Sequence, residues 1–361
     1  MNENENLKKS QNSEELNEKN SSYKDEDKNE LILDSNYYED EKEIKINDID
    51  YSSTNIIHKN IYLYLIRIFK TIFIGIFIFI IIPKNENIKV CLCTIGKKEN
   101  LYVNEYLNHY KKIGYSHVYL YDNNEIGDEK FEDVISKKLI NKFVTIIDYR
   151  EIKGKHVPRQ TQAYYDCYEK NNKNYDWLSF FDLDEFLEFN NSQNLQTFFG
   201  DEKFKECQVI KINWLMYSDN DLLYYENKPL AERFNTYLIN DISNRAIKST
   251  ARGNLTINYW KKSRNPHTAL TNYINCNSAG ERVSIKSYHV VPPHHESAYI
   301  KHYAVKTIEE YCNKMKRGYP DQIVVLNNKR MKSYFDYFFL RCKKTKEKLD
   351  YIKKIFNYTY K

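Results

Sequence analysis

The sequence predicts an α/β domain built on a parallel, doubly wound sheet. Three observations lead there. Short apolar runs of strand character alternate with helical segments from residue 87 to residue 182, the pattern of parallel strands joined by helical crossovers. Polar side chains, Thr94, Asp122, Asp148 and Asp182, stand at the ends of successive runs, where open α/β sheets bind their ligands. After Phe189 the alternation loosens, as it does where loops are added to receive a second substrate.

Residues 1–60 come first in chain order. They hold sixteen acidic and eight basic side chains and few apolar ones. So little apolar surface cannot offset chain entropy, and the segment reads as a disordered acidic cytoplasmic tail. With −8 in this tail and +5 overall, the remainder carries +13. That surplus suits polyphosphate ligands or a solvated basic surface. No dense Arg/Lys stripe points to nucleic acid.

The next element is Ile61–Pro83, IYLYLIRIFKTIFIGIFIFIIIP. Twenty-two residues precede its proline, enough at about 1.5 Å each to cross a hydrocarbon core of about 30 Å. Arg67 and Lys70 interrupt the first half and leave Thr71 to Ile82 as the uninterrupted run. Both can snorkel toward Lys59, which puts the N-terminus in the cytoplasm. The expectation is a single-span anchor, with residues 84–361 facing a lumen or the exterior. A buried helix is the competing reading. The segment begins too far along and lacks the small-residue cleavage site of a signal peptide.

Beyond the anchor, "NIKVCLCTI" predicts a buried strand and "ENLYVNEYLNHYKKIG" a helix closed by Gly114. "SHVYLYD", "FVTIIDY" and "DWLSFFD" predict three more strands, while "FEDVISKKLI" and "RQTQAYYDCYEKN" predict the helices between them. Further on, "CQVIKINWLMY" and "RVSIKSYHVV" have strand character, and "KTIEEYCNKMKRG" predicts a helix ended by Gly318. The core of the domain is expected over residues 88–320. There is no internal repeat, P-loop or dinucleotide fingerprint, and the chain has only nine glycines. Seven cysteines show no zinc spacing. Cys91 and Cys93 share one face of the first strand and read as core, and the pairing of any disulfides stays open. Asn190, Asn254 and Asn357 begin N-x-Ser/Thr sequons, consistent with a lumenal domain.

The chemistry gathers at Asp182-Leu183-Asp184-Glu185, which interrupts an apolar stretch. Carboxylates in such surroundings call for a cation. If the segment is extended, Asp182 and Asp184 face one way, and two close carboxylates repel unless a cation lies between them. Hard oxygen ligands favour Mg²⁺ or Mn²⁺, with positions left open for substrate phosphates. The alternative is an acidic turn, with Glu185 starting a helix.

These segments carry a resemblance. "VCLCTIGKKENLYVNEYLNHYKKIGYSHVYLYDNN", "RQTQAYYDCYEKN" and "YDWLSFFDLDEF", followed by "INWLMYSDN", "ERF", "KSTARG", "PH" and "IKHYAVKTIEEYCNKMKRG", resemble glycosyltransferase family 92 and its glycosyltransferase-2-like relatives. The resemblance runs from Lys89 to Gly318. It implies a GT-A fold, a Rossmann-like doubly wound sheet, and an inverting, metal-dependent transfer of a hexose from a UDP-sugar to a glycan acceptor. Galactose is the sugar it suggests. The anchor would make the chain a single-pass type II protein with its catalytic domain in the Golgi lumen.

By the same resemblance, Asp182, Asp184 and His302 would hold Mn²⁺ or Mg²⁺, with Asp182 also near the ribose. Thr94, Glu99 and Asp122 would cradle the nucleoside. Gln162 falls in the block preceding the metal strand, and Arg159 and Gln160, one turn earlier, could reach the phosphates. Lys248 and Arg252 would neutralise the leaving diphosphate, against a reading as solvated surface charges. Asp219, ahead of Glu232, is the expected base for the acceptor hydroxyl. The rival from another class is a membrane-anchored glycan-binding protein that kept the fold without turnover. A metal-dependent phosphoesterase would want more His and Asp ligands.

Overall fold

A computed structural model describes residues 63–71, 87–150, 158–190, 193–256, 265, 267–268, 270–284, 289–318 and 327–360. The chain divides into two units, Met1–Pro83 and Lys84–Lys361. Of the first, only residues 63–71 are described, and they are helical. The acidic tail and the apolar run from residue 72 lie outside the described residues. Among the described residues, no helix is long and apolar enough to cross a membrane.

The second unit is mixed α/β. Strands β1 (Val90–Gly96), β2 (His117–Asp122), β3 (Val144–Asp148) and β4 (Trp177–Phe180) lie in the order β3-β2-β1-β4, every neighbouring pair parallel. The strand β1 is buried on both faces, which explains its near-continuous apolar run. Val90 and Leu92 join one core with Val103, Tyr106, Leu107 and Tyr110 of helix α1 (Val103–Lys112). Cys91, Cys93 and Ile95 join another with Ala163, Tyr164, Cys167 and Tyr168 of α2 (Arg159–Asn171). The i, i+3, i+4, i+7 spacing on α1 gives one apolar face. Gly114 follows at φ +100°, a conformation glycine adopts without a Cβ penalty. A disulfide joins Cys93 to Cys167, and a second joins Cys207 to Cys276. Cys91, Cys312 and Cys342 are buried thiols.

The sheet continues past β4 with the opposite sense. Strand β7 (Ile247–Arg252) runs antiparallel to β4 and to β6 (Val209–Met216). The first half of β6 also pairs with β8 (Asn275–Asn277), and its last three residues pair with β9 (Ala298–His302). Strand β5 (Glu185–Phe189) closes the order as the antiparallel partner of β9. The sheet is therefore mostly parallel and curled, with β6 bridging its two parts.

Three expectations are corrected. "FEDVISKKLI" is helical only over Phe131–Val134, and Ile135 is already extended. The Asn104 side chain ends the turn by donating to Val134 O at 2.8 Å and accepting from Ser136 N at 3.1 Å. Glu185 begins a strand, because β9 offers it a ladder partner that no local propensity reveals. Order also continues past residue 320: α3 (Ile308–Arg317), α4 (Asn328–Phe339) and α5 (Lys346–Phe356) share a core built on Ile308, Tyr311, Met315, Phe335, Phe338 and Ile352. The helix expected at "KTIEEYCNKMKRG" is α3. It opens with a Thr307/Glu310 capping box and ends at Gly318. For "RVSIKSYHVV", residues 285–288 lie outside the described residues, and the flanking Arg282 and His289 form single bridges.

Candidate active site

Parallel strands bring their carboxyl ends to one edge. Gly96, Asp122 and Asp148 are in register there. From Phe180 the chain leaves β4 and reverses at once. Glu185 N donates to Asp182 O at 3.1 Å, and Asp182 N donates to Glu185 Oε2 at 2.9 Å. The carboxylate segment is thus a tight turn, the alternative that the sequence left open, and not an extended stretch. Phe181 and Leu183 anchor it in the core at 0% and 2% exposure. Leu183 lies so close over Gly96 that a Cβ there would stand 2.2 Å from its Cδ1. Any side chain at position 96 would force Leu183 and Phe131 to move.

Each carboxylate has its own surroundings. Asp182 accepts from the Gln160 amide and, at 2.8 Å, from the Tyr164 hydroxyl, both on α2. Its other oxygen is 2.8 Å from Lys248 Nζ, and the same ammonium lies 3.3 Å from Glu185 Oε2. Lys248 comes to this point because β7 pairs Ser249 with Phe180, the last residue of β4. Asp184 is buried, with Oδ2 2.8 Å from Lys314 Nζ and Oδ1 3.7 Å from His302 Nε2. Glu185 and His302 are direct cross-strand partners between β5 and β9, so their side chains share one face.

Burial raises all three carboxyl pKa values, and neighbouring charge then separates them. At Asp182, burial is the largest influence and raises the pKa, but Lys248 and His267 together hold the group below the usual carboxylate range. At Asp184, burial again raises the pKa most, but Lys314, His302 and Lys306 together hold the group well below that range. At Glu185, burial wins over Lys248 and pushes the carboxyl well above its ordinary value. Burial also opposes the charge on Lys314, but Asp184 overcomes it and raises the ammonium pKa. His302 is driven down to about 3, chiefly by burial, with its ring 4.2 Å from the Trp214 ring centroid. It is a neutral imidazole throughout the physiological range, the form that ligates metals.

The residues fit a hard divalent cation. Asp184, Glu185 and His302 each offer an atom within 4.8 Å of the others. Glu185 Oε1 and His302 Nδ1 are buried without a hydrogen-bond partner, donors for which a metal would be a natural partner. Two acid oxygens and an imidazole suit Mn²⁺ or Mg²⁺ better than a thiolate-seeking ion. This set keeps two of the three ligands expected from sequence, Asp184 and His302. It adds Glu185, while Asp182 stands beside it, tied to Lys248.

The other expected residues divide. Lys248 is buried between carboxylates, so it is not the solvated surface charge that was its alternative. Arg252 sits at the far end of the same strand, paired with Trp177, roughly 13 Å from Lys248 at about 3.3 Å per residue. Its guanidinium donates to Phe204 O and Cys207 O at 2.7 and 2.8 Å and covers the Trp177 ring. Thr94 is buried on β1 beside the Tyr106 hydroxyl. Asp122 accepts from Asn124 N and Phe131 N, both at 2.9 Å, and so shapes its own loop. Arg159 donates to Asn123 Oδ1 at 2.7 Å, and Gln162 is half-buried on α2. Glu99 is buried against Arg317 and Lys306, which ties the end of β1 to α3.

Neither expected base faces the carboxylate cluster freely. Asp219 is buried, with Oδ1 accepting from Asp221 N and Oδ2 paired to Lys348 of α5. Glu232 is exposed on the single turn Leu230–Arg233. Its neighbour Arg233 is the buried member of that segment and makes a bidentate pair with Glu310 at 2.9 and 3.1 Å. The sequence reading missed Glu185, Tyr164 and Lys314. For Lys314 a signal existed: Glu310, Lys314 and Arg317 recur at i, i+4 and i+7 along one stripe of α3.

A family profile of glycosyltransferase family 92 matches residues 86–354. A glycosyltransferase family 92 protein of Oryza sativa subsp. japonica is 27% identical over 108 residues, which is 30% of this chain and 17% of the rice protein. The chain belongs to glycosyltransferase family 92, and that membership supports glycosyl transfer as its activity.

Proposed function

We propose that this chain is a metal-dependent, inverting glycosyltransferase of GT-A architecture that moves a hexose from a UDP-sugar to a glycan hydroxyl. The observation that carries the reading is the enclosed Asp184–Glu185–His302 set beside the ends of parallel strands, where nucleotide ligands of such sheets bind. Asp184, Glu185 and His302 would hold Mn²⁺ or Mg²⁺, with Asp182 alongside. When bound, the ion neutralises charge on the departing diphosphate.

The chain's own residues prepare that site. Gln160 and Tyr164 fix the Asp182 carboxylate, and Lys248 ties it to Glu185. The Trp214 ring covers His302. In the reaction, the acceptor oxygen bonds to the anomeric carbon from the face opposite the nucleotide. The bond from that carbon to the diphosphate oxygen breaks, leaving its electron pair on the diphosphate, and the acceptor proton passes to a base. Arg159 and Gln162, half-buried on α2, would line the approach proposed for the nucleotide, with Thr94 enclosed behind them on β1. Galactose is the first donor sugar to screen. A lumenal, membrane-anchored setting belongs to the same proposal. It draws on the apolar segment Ile61–Pro83 and on two disulfides, which persist in oxidising compartments.

The test is thermal unfolding of the full chain with UDP, with and without Mn²⁺, beside Asp184→Ala. A ligand at a hundred times its dissociation constant stabilises by about 2.7 kcal/mol. A Mn²⁺-dependent rise that is lost in the variant supports the reading and justifies screening donors by UDP release. If UDP, GDP and CDP all leave a cooperative transition unmoved, the reading falls and a glycan-binding role replaces it.

A further inference from the structure

We propose that Lys314 is a donor-binding residue of this site, placing its ammonium on the diphosphate of the sugar nucleotide; the assignment rests on the reading above. Among the described residues, four lysine and arginine side chains pair with Asp182, Asp184, Glu185 or Glu99 near the ends of β1 and β4, and their geometry separates them. Lys248, with a side chain 2% exposed, is enclosed between Asp182 and Glu185. Lys306, at 5%, pairs with Glu99 and lies 4.2 Å from the Tyr102 ring centroid. Arg317, at 14%, pairs with Glu99 and donates to the carbonyls of Lys97 and Lys98. Lys314 alone of the four is as much as 29% exposed.

Its ammonium is also held in a defined place. Asp184 Oδ2 accepts from it at 2.8 Å and Ala304 O at 3.2 Å. An ammonium has three donors, so one is left for a ligand at the solvent-facing side. Asp184 is therefore shared. Its Oδ1 faces His302, within the set that fits a divalent ion, and its Oδ2 holds Lys314. Two cationic contacts organised by one carboxylate suit two linked phosphates, one at the metal and one at the lysine. As the bond to the sugar breaks and charge collects on the leaving diphosphate, an ammonium at that point stabilises it more than the ground state. Glu99 is already matched by Lys306 and Arg317, so it does not cancel the charge of Lys314.

The experiment is isothermal titration of the full-length protein, wild type, Lys314→Met and Lys314→Arg, with Mn²⁺ alone and then with UDP, uridine and pyrophosphate in the presence of Mn²⁺. Thermal unfolding of each variant checks the fold. The expected result is UDP and pyrophosphate affinity reduced at least tenfold in Lys314→Met and partly restored in Lys314→Arg. Uridine affinity should be unchanged, and Mn²⁺ affinity unchanged or tighter, since a competing positive charge is gone. A lysine that merely steadies Asp184 would instead weaken Mn²⁺ binding. That result, or equal loss for UDP and uridine, or no loss for UDP, overturns the proposal. If the wild type binds pyrophosphate but neither UDP nor uridine, the sugar-nucleotide reading fails while the pyrophosphate arm still judges Lys314. If it binds none of these, both fall.

Discussion

Lys211 offers a test of the fold beneath the site. It lies in the middle of β6, fully buried. Its ammonium donates to Ser249 Oγ at 2.8 Å and to His267 O at 3.4 Å, both neutral acceptors. Burial pushes its pKa down from 10.5 to about 7. Below pH 7 the lysine is charged in both folded and unfolded chains, and the folded state bears the whole cost of desolvating it. Between pH 7 and 10.5 the unfolded chain binds more protons than the folded one, so this cost fades as pH rises. At about 1.4 kcal/mol per pKa unit, the penalty is roughly 5 kcal/mol at pH 6 and about 1 kcal/mol at pH 10. Lys211→Met keeps the length of the chain and removes the charge. It should therefore stabilise the protein at pH 6 by a few kcal/mol and have little effect at pH 10. At about 2 °C per kcal/mol for a domain of this size, the melting temperature should rise by about 5–10 °C at pH 6. The assay is the difference in melting temperature between variant and wild type at both pH values, which cancels the other titrating groups. A difference that does not change with pH, or a variant less stable at pH 6, would falsify the placement of Lys211 in an apolar interior.

Two further substitutions separate structural from chemical roles. In Asp219→Asn, the buried Lys348 ammonium loses its nearer carboxylate and keeps only Asp221 Oδ1 at 3.6 Å, so the cost stays below the roughly 3–5 kcal/mol of a fully broken buried pair; the melting temperature should drop with any loss of turnover. Turnover lost at an unchanged melting temperature would instead make Asp219 the base. Arg252→Met removes two hydrogen bonds to carbonyls and the cover over Trp177, so stability should fall by about 2–3 kcal/mol with UDP affinity unchanged. Weaker UDP binding in a protein that melts normally would return Arg252 to the site.

What the sequence disclosed about this fold was what local pattern encodes. The first four strands follow from short apolar runs bounded by polar residues, and α1, α2 and α3 from period-3.6 burial, so the elements of the parallel half of the sheet were readable in chain order. The Asp182–Asp184 pair was readable for the same reason, as polar residues at the end of a buried strand. The partners of those residues were not. Glu185 reads locally as a helix start and becomes a candidate ligand only because β9 places His302 opposite it. Arg252 and Lys248 are near neighbours in sequence, yet a strand that went unread sends them to opposite ends of the sheet. Asp219 reads as a base until α5, beyond the expected core, supplies Lys348. Each miss is a question of register or of a distant partner, which single-residue chemistry does not contain.

The same contacts explain how Asp182 and Asp184 stay ionised in so apolar a segment, while burial favours the protonated form of Glu185. Desolvating the two charges without compensation would cost several kcal/mol each. Lys248 reaches Asp182 and Glu185 from β7, and Lys314 reaches Asp184 from α3, so opposite charge is built into the fold itself. The two lysines differ in what they can do next. One is sealed between its partners and can only hold them; the other stands partly exposed at the rim of the same cluster. A partly exposed lysine beside enclosed acids is the arrangement expected where a fold must neutralise its own acids and still keep a charge within reach of an anionic substrate.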